Sequence, residues 1–478
     1  MMADEHFFHF SNTPLVVISL TAQCLATGVL LWLEWRLLRS RPRWVTVFAM
    51  PATAHLALTS LQLETFLFGM QVLFTVGLLG AFGSIILFAL ATRNGRISPH
   101  RAIAAFGCAL VCAFSMGTGV FVGPAILLVA WGLRARPRVL VMLVLISGIF
   151  GAVYSVGYSN PGHGMGLLGL PRDPLGALRI TALVLGGPIT DQSLWWGAAC
   201  GFAGMLVLVP ATLRLLRGGG TSWEETALTG ICVFCVLYAL AFAFARFTPE
   251  SIAALGSTKM LGSHDFTVPL FFWGTLLALA GANSGILSKV SCVIPAALAG
   301  YMTLHSVPSQ LACSMAWLEF HRTLDVAGAG MILGATDPDF LFELMPDQNS
   351  LDYYRPYMRQ HHFSFFADDR AYWIDRNLNT VFRNTPGECG GSIDQRLPAG
   401  HTIFRIEGFV EGPSVKFPLK REIVLTDASG KIDGLGNTLV VSEKRGGQDF
   451  VAYADSAAAA AYVITPNGRA CRFATQTQ

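Results

Sequence analysis

From residue 14 to residue 305 the chain is a series of long apolar runs broken by short polar loops. A membrane-crossing helix needs about 20 apolar residues, somewhat fewer inside a bundle. Ten runs come close: 14–35, 44–61, 66–91, 102–116, 119–133, 139–157, 194–213, 226–245, 267–284 and 289–305. The fourth and fifth are short and meet at "SMGTG". The run "ITALVLGGPIT", residues 180–190, is apolar but too short to span, and reads as re-entrant or interfacial.

The pattern changes beyond residue 306. "SQLACSMAWLEFHRTLDVAGAGMIL" spaces Leu311, Met315, Leu318 and Leu324 as a helix would. "DPDFLFELMPDQNSLDYYRPYMRQHH" reads as two short helices, the first capped by Asp337 or Asp339 and ended by Pro346. From about residue 386 the runs are short and β-branched: "HTIFRIEGFV", "REIVLTD", "NTLVVSE", "DFVAYAD" and "AAYVITP". "DASG", "DGLGN" and "PNG" separate them as turns. The expected architecture is an α-helical polytopic membrane bundle over 1–305, a periplasmic helical linker over 306–384, and a small β-sandwich of roughly seven strands over 385–478.

Composition agrees with a polytopic membrane protein. Only 13% of residues are charged, against about 25% in soluble chains. Residues 1–305 hold 10 Asp/Glu and 17 Lys/Arg, whereas 306–478 hold 20 and 16. The second part therefore reads as water-soluble. A net charge of +3 argues against a nucleic-acid partner. "MMADEHFFHFSNTP" lacks the basic region of a cleavable signal peptide.

The cations orient the bundle. With the first span entered from outside, "RLLRSRPR", "RNGRISPHR", "RARPR", "RLLR" and Lys289 put 13 Lys/Arg in cytoplasmic loops. Arg172, Arg179, Arg246 and Lys259 remain outside. That 13-to-4 bias places the C-terminal part in the periplasm or its equivalent, on a bacterial inner membrane. The same outer face then carries Asp4, Glu5, Glu64, Asp173, Asp191, Glu250 and Asp265 with His6, His163 and His264, while Glu34, Glu224 and Glu225 fall at the inner face.

Each candidate has a bland alternative. Glu64 is either an idle loop carboxylate or the lining of a cavity, since a carboxylate kept near a span end tends to face the bundle interior. Gln71, seven residues on, returns to the same helix face. "ADEHFFHF" is either a frayed terminus or a source of a general base, Asp4 or Glu5, with His6 assisting or holding a diphosphate or a divalent cation. "FSMGTG" is a tight turn or backbone lining a cavity. His163, Arg172, Asp173 and Arg179 in the Gly/Pro-rich loop 159–179, with Asp191, Arg246, Lys259 and His264, either meet headgroups or clamp a lipid-linked phosphate. Cys389 and Cys471 bracket the β-region, where a periplasmic location permits a disulfide. No HExxH or paired CxxC pattern occurs, so no zinc site is expected.

"QLETFLFGMQ" resembles the Gln-x-Glu-Asn-x-Leu-x-Gly-x-Gln segment of bacterial polytopic proteins that look like GT-C-type glycosyltransferases of surface-polysaccharide clusters. "AFSMGTGVFVGPAILL", "LGGPI" and "DPDFLFELMPDQNSLDYYRPYMRQHHFSFF" are similar to further segments of that group. The resemblance is patchy but runs along most of the chain. It implies a polyprenyl-phosphate sugar donor, a glycan or lipid acceptor, transfer on the outer face, and an acidic base in the first outer loop. There are two departures. Position 65 is Thr where the group has Asn, and no span precedes "ADEH"; either this lineage lacks that helix or the chain starts at an internal Met.

The expected function is thus an inverting membrane glycosyltransferase: Asp4 or Glu5 as base, Glu64 orienting a substrate, and Arg172, Arg179, Arg246 or Lys259 stabilising the departing phosphate. The alternative is a non-catalytic scaffold or export component of polysaccharide assembly. A transporter is disfavoured, because the spans show neither a charge pair nor an inverted repeat.

Overall fold

The computed structural model describes residues 12–62, 65, 71–93, 97–155, 174–190, 194–217, 221–246, 266–282, 290–342, 344, 348–412, 419–442, 446–455, 460–465 and 467–473. The chain forms two compact units, Asn12–Cys313 and Ser314–Gln478.

The first unit is helical: α1 (Asn12–Leu38), α2 (Arg43–Ala57), α3 (Val72–Thr92), α4 (Pro99–Ser115), α5 (Val122–Gly132), α6 (Pro137–Ser155), α7 (Pro174–Gly186), α8 (Leu194–Leu216), α9 (Trp223–Arg246), α10 (Thr267–Ala282) and the start of α11 (Val290–Leu333). Four are long and apolar enough to cross a membrane: Pro14–Leu38, Val72–Thr92, Trp195–Leu216 and Trp223–Ala243. Several others are apolar but shorter. Their outward faces are apolar too. Val141, Leu145, Ile149 and Val153 stand one turn apart on α6, each more than half exposed. A helix in water carries polar residues on that face. The first unit is therefore built for a membrane.

Small residues set its close contacts. The segment 180–190, expected as re-entrant or interfacial, is the second half of α7 plus a 3₁₀ turn, and it is mostly buried. It packs on α8 through Gly197 and Gly201, a Gly-x-x-x-Gly pair. A Cβ at Gly201 would lie 1.8 Å from the Ala182 carbonyl oxygen, and one at Gly186 2.0 Å from that of Gly197. "FSMGTG" is a turn of the same kind. Gly119 presses on the Cys112 carbonyl, where a Cβ would meet oxygen at 2.4 Å.

At one end of the bundle, Arg36 lies 5.4 Å from the ring centroids of both Trp32 and Trp223 and pairs with Glu224 at 3.2 Å. Glu34 is different. It is fully buried and packed among helices, whereas Arg36 and Glu224 are partly exposed.

The second unit joins the end of α11, α12 (Pro338–Leu341), α13 (Gln348–His361) and α14 (Leu378–Val381) to one eight-stranded sheet. The strands are β1 (Arg383–Cys389), β2 (Gly391–Pro398), β3 (Phe404–Glu411), β4 (Glu422–Thr426), β5 (Ile432–Ser442), β6 (Gly447–Ala454), β7 (Ala460–Ile464) and β8 (Arg469–Phe473). Their order is β1-β8-β7-β4-β5-β6-β3-β2, antiparallel except for the β1/β8 pair. This corrects the expected sandwich: the strands form one sheet curled into a half-barrel.

The alternation of side chains gives the reason. Along β6, Phe450, Ala452 and Ala454 face the inside of the curl, whereas Val451 and Tyr453 face the helices. Ile423 and Leu425 alternate with Val424 in the same way on β4. One face is covered by Val326, Ile332, Leu351 and Phe366; the other buries against itself. Both faces of a strand are then apolar without a second sheet.

Glycines permit the curl. "DGLGN", expected as a turn, runs inside β5. A Cβ at Gly434 would meet the Tyr453 carbonyl oxygen at 2.5 Å, and one at Gly436 that of Val451 at 2.3 Å. Gly390 alone joins β1 to β2, so the two edge strands converge at that corner. There a Cβ at Gly391 would lie 3.1 Å from the Phe473 ring on β8. Cys389 and Cys471 are bonded, with Cα atoms 5.8 Å apart.

Two polar knots brace this unit, the first joining a helix to the sheet. Asp337, not Asp339, caps α12: its Oδ1 accepts from the Asp339 N–H at 3.0 Å. Its Oδ2 accepts from Arg405 Nη1 and from the Tyr453 hydroxyl, both at 2.8 Å. Burial would lower the Arg405 guanidinium, but hydrogen bonds to Asp339 and Asp337 hold it above its ordinary value. Burial, with Asp337 beside it, raises Tyr453. In the second knot the buried Arg370 meets Asp368 at 2.6 Å and Asp325 at 3.5 Å. Burial works to raise the Asp368 carboxyl, and its bonds from Arg370 outweigh that and hold it low.

Candidate functional site

Most of the expected site residues fall outside the described residues: Asp4, Glu5, His6, Glu64, His163, Arg172, Asp191, Lys259 and His264. Arg246 ends α9, with its side chain outside the description as well. Arg179 is exposed on α7, its guanidinium carbon 5.0 Å from the Trp195 ring centroid. Trp195 and Trp196 are themselves exposed. That arrangement suits an interfacial cation–π pair, with the guanidinium edge open to an anion.

What the bundle does bring together is a polar seam along α1. Ser19, Gln23 and Thr27 are spaced four apart, and Glu34 follows seven later, so all share one helix face. All four are buried. This stripe was legible in the sequence by its spacing, but the apolar residues between its members hid it.

Three of the four reach other segments, and Thr27 donates to the Gln23 carbonyl of its own helix at 2.8 Å. The Ser19 hydroxyl donates to the Thr65 carbonyl at 2.9 Å and meets the Thr75 hydroxyl of α3 at 3.2 Å. Gln23 Nε2 donates to the Ala57 carbonyl at 2.7 Å and to Gln62 Oε1 at 3.3 Å. Gln62 Nε2 donates to the carbonyls of Ala57 at 2.7 Å and Leu56 at 3.3 Å, closing the exposed end of α2. The Thr65 hydroxyl meets that of Thr267, at the start of α10, at 3.0 Å. One segment, "LQLET", is therefore tied to α1, α2 and α10. Thr65, where the resembling group has Asn, serves as that tie.

Deeper along α1, the Thr53 hydroxyl of α2 donates to Glu34 Oε1 at 3.1 Å and lies 3.2 Å from the Gly274 carbonyl of α10. Among the described residues, Glu34 Oε2, Gln23 Oε1 and Gln71 Oε1 are buried without a hydrogen-bond partner. Gln71 immediately precedes α3, one turn before Thr75. The seam thus offers acceptor oxygens in an apolar bundle, where an unmet polar group costs roughly 1–3 kcal/mol.

Among the described residues, no three His, Cys, Asp or Glu side chains come together as a metal-ligand set. The chain matches no family model, and no curated protein and no solved structure is significantly similar to it.

Proposed function

We propose that this protein is a multi-pass glycosyltransferase of the bacterial inner membrane, moving a sugar from a polyprenyl-phosphate donor to an envelope glycan or lipid acceptor on the outer face. In this reading the chain crosses the bilayer about ten times and its second unit lies in the periplasm. The supporting observation is the polar seam: it anchors "LQLET", the segment that carries the family resemblance, inside an otherwise apolar bundle. A tie of that kind holds Gln62 and Thr65, which flank Glu64 in sequence.

The chemistry balances simply. Asp4 or Glu5 takes the proton of an acceptor hydroxyl, whose oxygen attacks the anomeric carbon. The bond from that carbon to the phosphate oxygen breaks, and the lipid phosphate departs with the electron pair. Arg172, Arg179, Arg246 or Lys259 stabilises the charge that develops there. Glu64 and Gln71 accept substrate hydroxyls and orient the ring.

The test is transfer from short-chain prenyl-phosphate glucose and mannose by the purified chain in liposomes. Asp4→Ala, Glu5→Ala and Glu64→Ala are compared with the parent at equal protein in the membrane. Loss of about 100-fold or more in at least one variant is expected, the size of a missing general base. Full activity in all three would sink the mechanism. Absence of transfer by the parent, with the three carboxylates dispensable for envelope glycan assembly in cells, would favour a non-catalytic scaffold or export component.

A further inference from the structure

The second unit contains a groove of about 410 Å³, within the range of small-ligand sites. Ile332 and Phe366 form its buried lining. His362, Tyr372, Asp375 and Asp455 line it as exposed residues, and Asp433 as a half-buried one.

Rigid backbone fixes the carboxylates. The Asp375 N–H donates to the carbonyl of Ile432, the residue before Asp433, at 2.9 Å. The Asp455 N–H donates to the Asp433 carbonyl at 3.1 Å. Asp455 also accepts from the Thr402 hydroxyl. The aromatic side is equally ordered: the His362 and Tyr372 rings are near parallel, 18° apart in plane and 6.0 Å between centroids. His362 and Asp375 reach these positions with φ of +53° and +66°, a backbone region few side chains adopt.

The charge of the groove narrows its occupant. Arg359 also lines it, but its Nη2 donates to the Ile332 carbonyl at 2.6 Å and its guanidinium lies 5.4 Å from the Phe366 ring centroid. That cation is engaged with the wall, and the acidic residues of the lining are Asp375, Asp433 and Asp455. Carboxylates accept, so the ligand must donate, through hydroxyls or ammonium. An exposed tyrosine ring asks for an apolar face. A pyranose has both: a face of C–H bonds and an edge of hydroxyls. Anionic sugars would meet like charge.

We propose that this groove binds a saccharide, neutral or amine-bearing and not anionic, as a site separate from any transfer chemistry in the helical unit. The inference goes beyond the transferase reading and fits a scaffold equally. A protein that binds the saccharide and transfers nothing keeps this inference and loses the other; the opposite result does the reverse.

The experiment is ligand-observed saturation-transfer NMR and calorimetry on the full chain in lipid nanodiscs, since glycoside detergents would compete. The probes are chitobiose, N,N′-diacetylchitobiose and digalacturonate. Binding of the first or second but not the third is expected. Tyr372→Ala and Asp455→Asn should each weaken binding about tenfold, and Asp375→Asn should do the same. These residues are exposed, so amide exchange of β6 should be unchanged in the variants. Failure of all three probes to bind the parent would overturn the proposal. So would equal binding of digalacturonate, or unchanged affinity in all the variants.

Discussion

Replacing Asp337 by alanine isolates the knot that fastens α12 to the sheet. The side chain is nearly buried, and its two oxygens serve three donors. The helix cap is worth about 1 kcal/mol. The Tyr453 hydroxyl would lose its acceptor while buried, a cost of roughly 1–3 kcal/mol. Arg405 would keep Asp339 at 2.7 Å and Glu407 at 2.9 Å, so its loss is partial. A charge-assisted bond of that kind accounts for about 1 kcal/mol more. The total is about 3–5 kcal/mol. Asp337→Asn keeps a cap and an acceptor for Tyr453, and should cost about 1–2 kcal/mol. Tyr453→Phe in the alanine background removes the orphaned hydroxyl, so the double variant should be more stable than the sum of the single losses predicts. The assay is amide hydrogen exchange of β3 and β6 in the full chain, which reads this unit alone. A loss of about 4 kcal/mol accelerates exchange roughly a thousandfold if these amides open with the whole unit. Exchange within about threefold of the parent in Asp337→Ala, or strict additivity with Tyr453→Phe, would refute the assignment of this knot as the brace.

Gly201→Ala should push α7 and α8 apart, lowering thermal stability in detergent by about 1–3 kcal/mol, whereas Gly148→Ala, with open space around it, should be neutral or better. Tyr453 keeps its proton in the folded unit beyond the ordinary value of 10.0, at which the unfolded chain loses it. Stability should therefore fall as pH rises past about 10, and Tyr453→Phe should flatten that slope in a pH series of β6 exchange. For Asp368 the sign is opposite: its lowered carboxyl supports the unit above its ordinary value of 3.8, and that support is lost as pH falls through the folded value. Cys389 and Cys471 should react with a membrane-impermeant maleimide only after reduction, and ready labelling without reductant would count against the bond.

The legible parts of the fold were those governed by local chemistry. Apolar run length located most of the helices of the first unit, and the sequence offered Asp337 or Asp339 as a cap, of which the fold uses Asp337. "DASG" is a turn, and so is the described part of "PNG", Asn467 and Gly468; Gly430 and Gly468 have φ of +83° and +69°. What escaped depends on distant partners. β1, "RNTPGEC", and β2, "GSIDQRLP", are edge strands with polar or breaker residues, and only their place beside β8 and β3 makes them strands. "DGLGN" has turn residues because β6 crosses so near, a fact no local window contains. At the candidate site the loop carboxylates drew attention by their charge, while the Ser19, Gln23, Thr27 and Glu34 stripe was concealed by the leucines around it. Ser19, Gln23 and Glu34 find partners outside their own helix, so only the fold displays the stripe as a seam.

The placement of β1 against β8 carries a consequence for how the second unit is made. The first strand to be synthesised has the last strand as its only described neighbour, with every other strand emerging between them. While the chain is still being extended, β1 therefore waits as an open edge, and β7 has no neighbour on its far side. The final pairing cannot nucleate on the ribosome or the translocon until residues 469–473 have been released. A chain stopped before Arg469 would expose two strand edges and one unmatched thiol, the features that promote aggregation and degradation. Pairing β1 with β8 thus makes the integrity of this sheet depend on the arrival of residues 469–473.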